Sequence, residues 1–127
     1  MSYQTFEELV VYKTAREFRK TIYNLVKSLP EDEKYNLVSQ MRRAATSLTN
    51  NIAEGHGRYH YQENIQFCRQ ARGSLSELID DINICLDEKY GLPEHLESLK
   101  EKAYRVNKQL NGYVAYLKKR KQEDTIN

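Results

Sequence analysis

The stretch QMRRAATSLTNNIAEGHGR, residues 40–58, constrains this chain more than any other part of it. Met41, Ala44, Ala45, Leu48 and Ile52 recur at three- and four-residue steps, which gathers them on one side of an α-helix and turns Arg42, Arg43 and Asn50 away from it. Gly55 and Gly57 predict the end of that helix and a tight loop after it.

Three further stripes share the pattern. Before this helix, Thr5 and Glu8 have capping-box spacing, and Val11, Ala15, Phe18, Ile22 and Leu29 follow near heptad positions, so a first helix ends close to Leu29. Pro30 punctuates the chain, and Glu31, Asp32 and Glu33 are expected to open the second helix, where the backbone dipole favours negative charge. Beyond the glycine pair, Ile65, Cys68, Leu75, Ile79, Ile82 and Leu86 predict a third helix that stops near Tyr90. Gly91 is suited to a left-handed terminal residue and Pro93 to a first helical turn. Leu96, Leu99, Ala103, Val106, Leu110, Val114 and Leu117 form the fourth stripe. Short loops force each helix to run back along its predecessor, so the expected fold is all-α, an antiparallel up-down-up-down four-helix bundle. Residues 1–117 make one domain, and the basic tail, residues 118–127, is expected to fray.

Helix three carries a second apolar line of Phe67, Ala71, Leu78 and Cys85. Either this helix is the most central, or Phe67 and Leu78 meet another subunit. Among ten tyrosines, Tyr12, Tyr23, Tyr104, Tyr113 and Tyr116 lie on or beside stripes, where a ring can be covered while its hydroxyl stays wet. Gly73, in mid-helix, predicts a close helix approach.

Charge is heavy but balanced, Lys+Arg 20 against Asp+Glu 18, so whole-molecule charge does not point to a polyanion. Local clustering does. An antiparallel bundle brings the loop of His56, Arg58 and His60 to the same pole as Lys118, Lys119, Arg120 and Lys121, and leaves Glu31, Asp32, Glu33, Asp87, Glu88, Glu94 and Glu97 at the other. Tyr59, His60 and Tyr61 interleave rings with these cations, a combination that stacks unpaired bases while contacting phosphates. Arg43 and Arg72, with Glu77, are expected to form structural ion pairs, as are Arg42 and Arg69 with carboxylates such as Glu17.

Nothing nominates an enzyme. There is no GxxxxGK phosphate loop or GxSxG elbow, and Cys68 lacks an evident activating base. His56 and His60 flank a glycine loop and His95 belongs to the other pole, so neither a metal nor another cofactor is expected. The two cysteines, Cys68 and Cys85, sit far apart on one helix and cannot pair, which suits a reducing compartment. The opening MSYQTFEELV lacks a secretory pattern, and the longest apolar run is far too short for a bilayer, so a cytoplasmic protein away from membranes is expected.

RRAATSLTNNIAEGHGR and FCRQARGSLSEL, with the opening FEELVVYKTAREF and the segment LVSQMRRAA, resemble the bacterial 23S ribosomal RNA intervening-sequence proteins over most of the chain. The resemblance implies a homo-oligomeric bundle, typically a ring of five, with no established catalytic activity. It also implies that Arg43, Ala44, Asn51, Ile52, Ala53, Glu54, Gly55, Arg72, Gly73, Ser74 and Glu77 are recurrent positions. The loop GHGRYHYQEN departs from the family pattern. A relative similar in fold alone, the accessory protein of diversity-generating retroelements, makes a reverse transcriptase a partner class alongside RNA, DNA and a second copy of the chain. Two functions follow as expectations: a non-enzymatic nucleic-acid-binding oligomer, or a scaffold that captures a partner protein.

Overall fold

A computed structural model describes residues 5–126, so the opening tetrapeptide read above for targeting lies outside it. The described chain holds four α-helices and no strand: α1 Val10–Val26, α2 Leu37–His56, α3 Tyr61–Asp87 and α4 Pro93–Ile126. Together they make a four-helix bundle. Val11, Ala15, Phe18 and Ile22 of α1, Met41, Ala45, Leu48 and Ile52 of α2, Ile65, Leu75 and Ile82 of α3, and Leu99, Val106 and Leu110 of α4 share one core. Burying the Val, Leu, Ile, Phe and Met side chains among them contributes about 1.5–3 kcal/mol each before chain entropy is subtracted.

Polar ties join neighbouring helices, and those between α1 and α2 give the sense of that pairing. Arg19 Nη1 donates to Thr49 Oγ1 at 2.7 Å and the Tyr23 and Thr46 hydroxyls share a 2.5 Å bond, so positions rise along α1 as they fall along α2. Ser47 and Ser74 join α2 to α3 at 2.9 Å, and Arg72 reaches Asn111 of α4 at 2.8 Å.

Helix ends differ from expectation in instructive ways. Thr5 makes no side-chain cap; the residues after it form a 3-10 turn, Phe6–Glu8, and α1 starts at Val10. An edge-on contact between the Phe6 and Tyr12 rings, centroids 4.9 Å apart, ties that turn to the helix. Glu31–Glu33 likewise form a separate 3-10 turn, and α2 begins at Leu37. Glu33 still serves that helix start. Its carboxylate accepts from Asn36, from the Tyr90 hydroxyl and from the Leu37 backbone N–H, which holds it below the usual carboxylate range. At the end of α3 the left-handed residues are Lys89 and Gly91, at φ 60° and 119°. Helix α4 runs on through the basic segment after Leu117 to Ile126.

The glycines reverse their expected roles. Gly55 does not stop α2; it is buried inside the helix, and a Cβ there would lie 2.9 Å from the Phe67 Cβ and 3.2 Å from the Asn64 carbonyl of α3. Here the two backbones lie too close for a side chain at position 55. Gly73, expected to mark such an approach, faces open space with nothing within 4 Å.

The second apolar line of α3 is absorbed by the monomer. Leu78, Ala71 and Cys85 are each 0 % exposed, because α3 packs against both α2 and α4. Leu78 is therefore a core residue rather than a subunit contact, and Phe67 is only half-buried, beneath Arg58. Beside that line lies Asp81, 2 % exposed, with Oδ2 unpartnered. Burial first, then Glu77 and Asp80, push its carboxyl from 3.8 up to about 6.

Two predictions follow from these contacts. Gly55→Ala should destabilise the fold by about 1–3 kcal/mol, because the α2–α3 backbones must separate, whereas Gly73→Ala should stabilise it by up to about 1 kcal/mol; paired thermal melts read both signs. For Asp81 the folded state holds the proton more tightly than the unfolded one. Its favourable contribution is thus present below the unfolded value of 3.8 and lost as pH rises to about 6. Asp81→Asn should gain on the parent as pH climbs through that window, by up to about 3 kcal/mol at neutrality, read as the difference between urea unfolding curves. A constant difference across the window refutes this account of Asp81.

Candidate nucleic-acid interface

One end of the bundle is formed by the α2–α3 turn, the start of α1 and the far part of α4. The turn is tight because Gly57 caps α2 in a right-handed conformation, its N–H bonded to Ala53 and Glu54 carbonyls, and Arg58 N–H returns to Gly55 O at 3.1 Å. His60 then precedes α3 in an extended conformation. These connections place Tyr59, His60 and Tyr61 beside α4, around an open cleft of about 650 Å³ that Leu9, Tyr113, Tyr116 and Lys121 also line.

The floor of the cleft is aromatic and polar. Asn64, 6 % exposed, donates from Nδ2 to the Tyr113 hydroxyl at 3.2 Å, and its Oδ1 accepts a weak bond from Cys68 Sγ at 3.6 Å. Burial pushes the Tyr113 hydroxyl above its ordinary value, outweighing the Asn64 bond. The Tyr113 and Tyr116 rings stack with centroids 6.2 Å apart, and Tyr59 meets His60 edge-on at 4.9 Å. Tyr59 is 92 % exposed, so its face is open to a planar ligand. Burial also pushes the Cys68 thiol up to about 11, where a reactive thiolate is scarce.

The expected basic residues divide into three groups. Arg58 is compensated: its guanidinium lies 3.5 Å from Glu54 and 3.8 Å from Glu63, and stacks 4.9 Å above the Phe67 ring. It pins the α2–α3 turn. Lys121 lines the cleft, and Arg120 adjoins it through Tyr61. The Tyr61 hydroxyl bonds Arg120 and raises its pKa, and Lys121 Nζ donates to Gln62 Oε1 at 2.6 Å. Lys118 and Lys119 are exposed but line no part of the cleft. A helix turns about 100° per residue, so Lys119 lies roughly opposite the side of α4 that carries Leu117 and Lys121. The four consecutive cations surround the helix rather than form one patch.

The expected ion pairs of Arg43, Arg72 and Glu77 do not form among the described residues. Arg72 bonds the Asn111 amide instead, Glu17 pairs with Lys20 of its own helix, and Glu77 lies one turn from Asp81 on the face where it adds negative potential. Arg42 lies over the Tyr23 ring at 5.9 Å, and Arg43 is exposed beside it. His56 closes α2 while His60 precedes α3, and no group of three or more metal-binding side chains occurs among the described residues. No described helix is long and apolar enough to cross a membrane.

The buried Asn64 was missed in the sequence, although an amide one turn before Cys68 on an apolar stripe is a detectable signal. Tyr113 and Tyr116 were noticed for their amphipathic rings, yet their convergence with residues 59–61 depends on helix phase.

Comparison with known proteins bears on this arrangement. A crystal structure of a protein of unknown function from the S23 ribosomal protein family of Bacteroides thetaiotaomicron superposes with a TM-score of 0.77 at 25% identity, covering 83% of this chain and 98% of that one. No curated protein matches. The family described as 23S rRNA-intervening sequence protein matches residues 7–112, most of the chain. By that match the chain belongs to the 23S rRNA-intervening sequence protein family.

Proposed function

We propose that this protein is a non-enzymatic nucleic-acid-binding bundle whose terminal cleft receives unpaired nucleotides. The observation that carries the reading is the meeting of Tyr59, His60 and Tyr61 with Arg120, Lys121 and the stacked Tyr113–Tyr116 pair at one end of the molecule. Rings offer stacking faces to bases, while adjacent cations meet phosphates. The opposite senses of the α1–α2 and α3–α4 pairings support an up-down-up-down topology, which brings the loop and the end of α4 together. Assembly into a ring, of five subunits on the family likeness, would repeat the cleft and turn a weak contact into avidity. Membership of the 23S rRNA-intervening sequence protein family makes RNA the first probe, with DNA and a reverse transcriptase as further partners to test. Non-membrane, cytoplasmic residence fits that role.

A labelled single-stranded RNA, titrated by fluorescence anisotropy at several salt concentrations, tests the reading. Affinity should fall as salt rises, with a logarithmic slope of about −0.7 per phosphate neutralised. Tyr59→Ala should weaken binding by roughly fivefold to a hundredfold, the usual range for one stacked base. Arg120→Ala with Lys121→Ala should weaken it more than Lys118→Ala with Lys119→Ala, because Lys121 lines the cleft and Arg120 adjoins the cleft residue Tyr61. Salt-independent binding, or binding indifferent to all of these changes, rejects the proposal.

A further inference from the structure

The outer flank formed by α1 and α2 carries an arrangement that the terminal cleft does not explain. Two shallow clefts meet there at Thr46: one runs along α2 past Lys34, Arg42 and Arg43, and the other lies against α1 at Arg19, Lys20 and Lys27. Among the described residues, six cations line the two clefts and no carboxylate does. Lys20 and Lys34 each have a carboxylate one turn away, at 3.6 and 3.9 Å. Arg19, Lys27, Arg42 and Arg43 have no carboxylate partner among the described residues. The terminal cleft differs in this respect, since Asp124 lines it and its nearest arginine, Arg58, is held between two glutamates.

Positioning on the flank is achieved without neutralisation. Arg19 is fixed by the Thr49 hydroxyl, and Arg42 lies over the ring of Tyr23, whose own hydroxyl is fixed by Thr46. Hydroxyl and aromatic partners orient a guanidinium and leave its charge intact. Side chains of Ser39, Asn50 and Asn51 add uncharged hydrogen-bonding groups between the cations. Four uncompensated positive charges on one face call for a polyanion of matching extent.

The shape chooses among polyanions. From Val38 to Asn51 the face extends about 20 Å along α2, the axial length of about six base pairs. It is shallow, with cations on two adjacent helices, and the Tyr23 ring is already occupied by Arg42. Such a face can meet phosphates but cannot enclose bases. We propose that the α1–α2 flank docks the phosphate backbone of a nucleic-acid duplex, independently of the terminal cleft and without reading base sequence.

Duplex RNA and duplex DNA of about 20 base pairs, titrated separately with the full chain, test this. The parent should bind at low salt, and the slope of log affinity against log salt should be about −3 to −4 for four phosphate contacts. Arg42→Glu with Arg43→Glu should lose at least tenfold in duplex affinity and flatten that slope, whereas Arg42→Lys with Arg43→Lys should keep most of the affinity. Lys27→Glu, at the exposed C-terminal cap of α1, should weaken binding in the same direction and guards against misfolding of the arginine variants. Tyr59→Ala should leave duplex affinity unchanged, which separates failure here from failure of the terminal cleft. The proposal is overturned if the parent ignores duplexes at low salt, or if Arg42→Glu with Arg43→Glu binds them as the parent does. It is equally overturned if that double variant alters the solution mass, since the flank would then be a contact between subunits.

Discussion

The approach of α2 to α3 at Gly55 governs the geometry of the whole upper end of the molecule. With no Cβ, Gly55 lets the Asn64 and Phe67 region of α3 come against the last turn of α2. That contact fixes where α3 begins, and so where Tyr59, His60 and Tyr61 stand relative to α4. It also places Asn64 beneath the cleft, where it bonds Tyr113. Arg58, clamped by Glu54, Glu63 and Phe67, closes the same junction from outside. These pairs are exposed and each contributes little in water, so their role is to define the turn rather than to hold the helices together.

Electrostatics in this bundle depends on compensation more than on counting. Arg58 is the residue of the loop that first suggests phosphate binding, yet two carboxylates absorb its charge. The paired arginines of α2 suggest internal salt bridges by their position, yet among the described residues no carboxylate pairs with them on their outer face. In both cases helix rotation decides. A carboxylate becomes a partner only when the phase of its helix brings it within a few ångströms, and a residue list does not contain that phase.

The four stripes were legible in the sequence because core burial imposes a strict period on side chains, and Met41, Leu48, Leu75, Val106 and Leu110 obey it. Glycine was less legible, since one residue type serves two opposite purposes: it ends helices by adopting left-handed backbone, and it permits neighbours to come close. Gly55 was read as the first and acts as the second, while Gly73 was read as the second and meets nothing. The acidic run at Glu31–Glu33 was attributed to the body of a helix; it forms its own turn, from which Glu33 reaches the α2 start. The Lys118–Lys121 segment looked frayed because it lacks apolar residues, but a helix already packed along its preceding turns extends through a polar segment at little cost. Of the candidate cleft, the loop rings and the end of α4 were identifiable; Asn64 and the stacked tyrosine pair emerged only from the packing.

The unbroken course of α4 ties surface chemistry to the interior through a single angular register. Val114 and Leu117 are anchored inward, so every side chain beyond them inherits a fixed bearing around the axis. Inserting one alanine after Leu117 would leave the number of lysines unchanged and the core intact, yet would swing Lys121 and Arg120 roughly 100° off their present azimuth. Homologues with identical basic content in this region can therefore present quite different faces, and it is the spacing from the last inward leucine that distinguishes them.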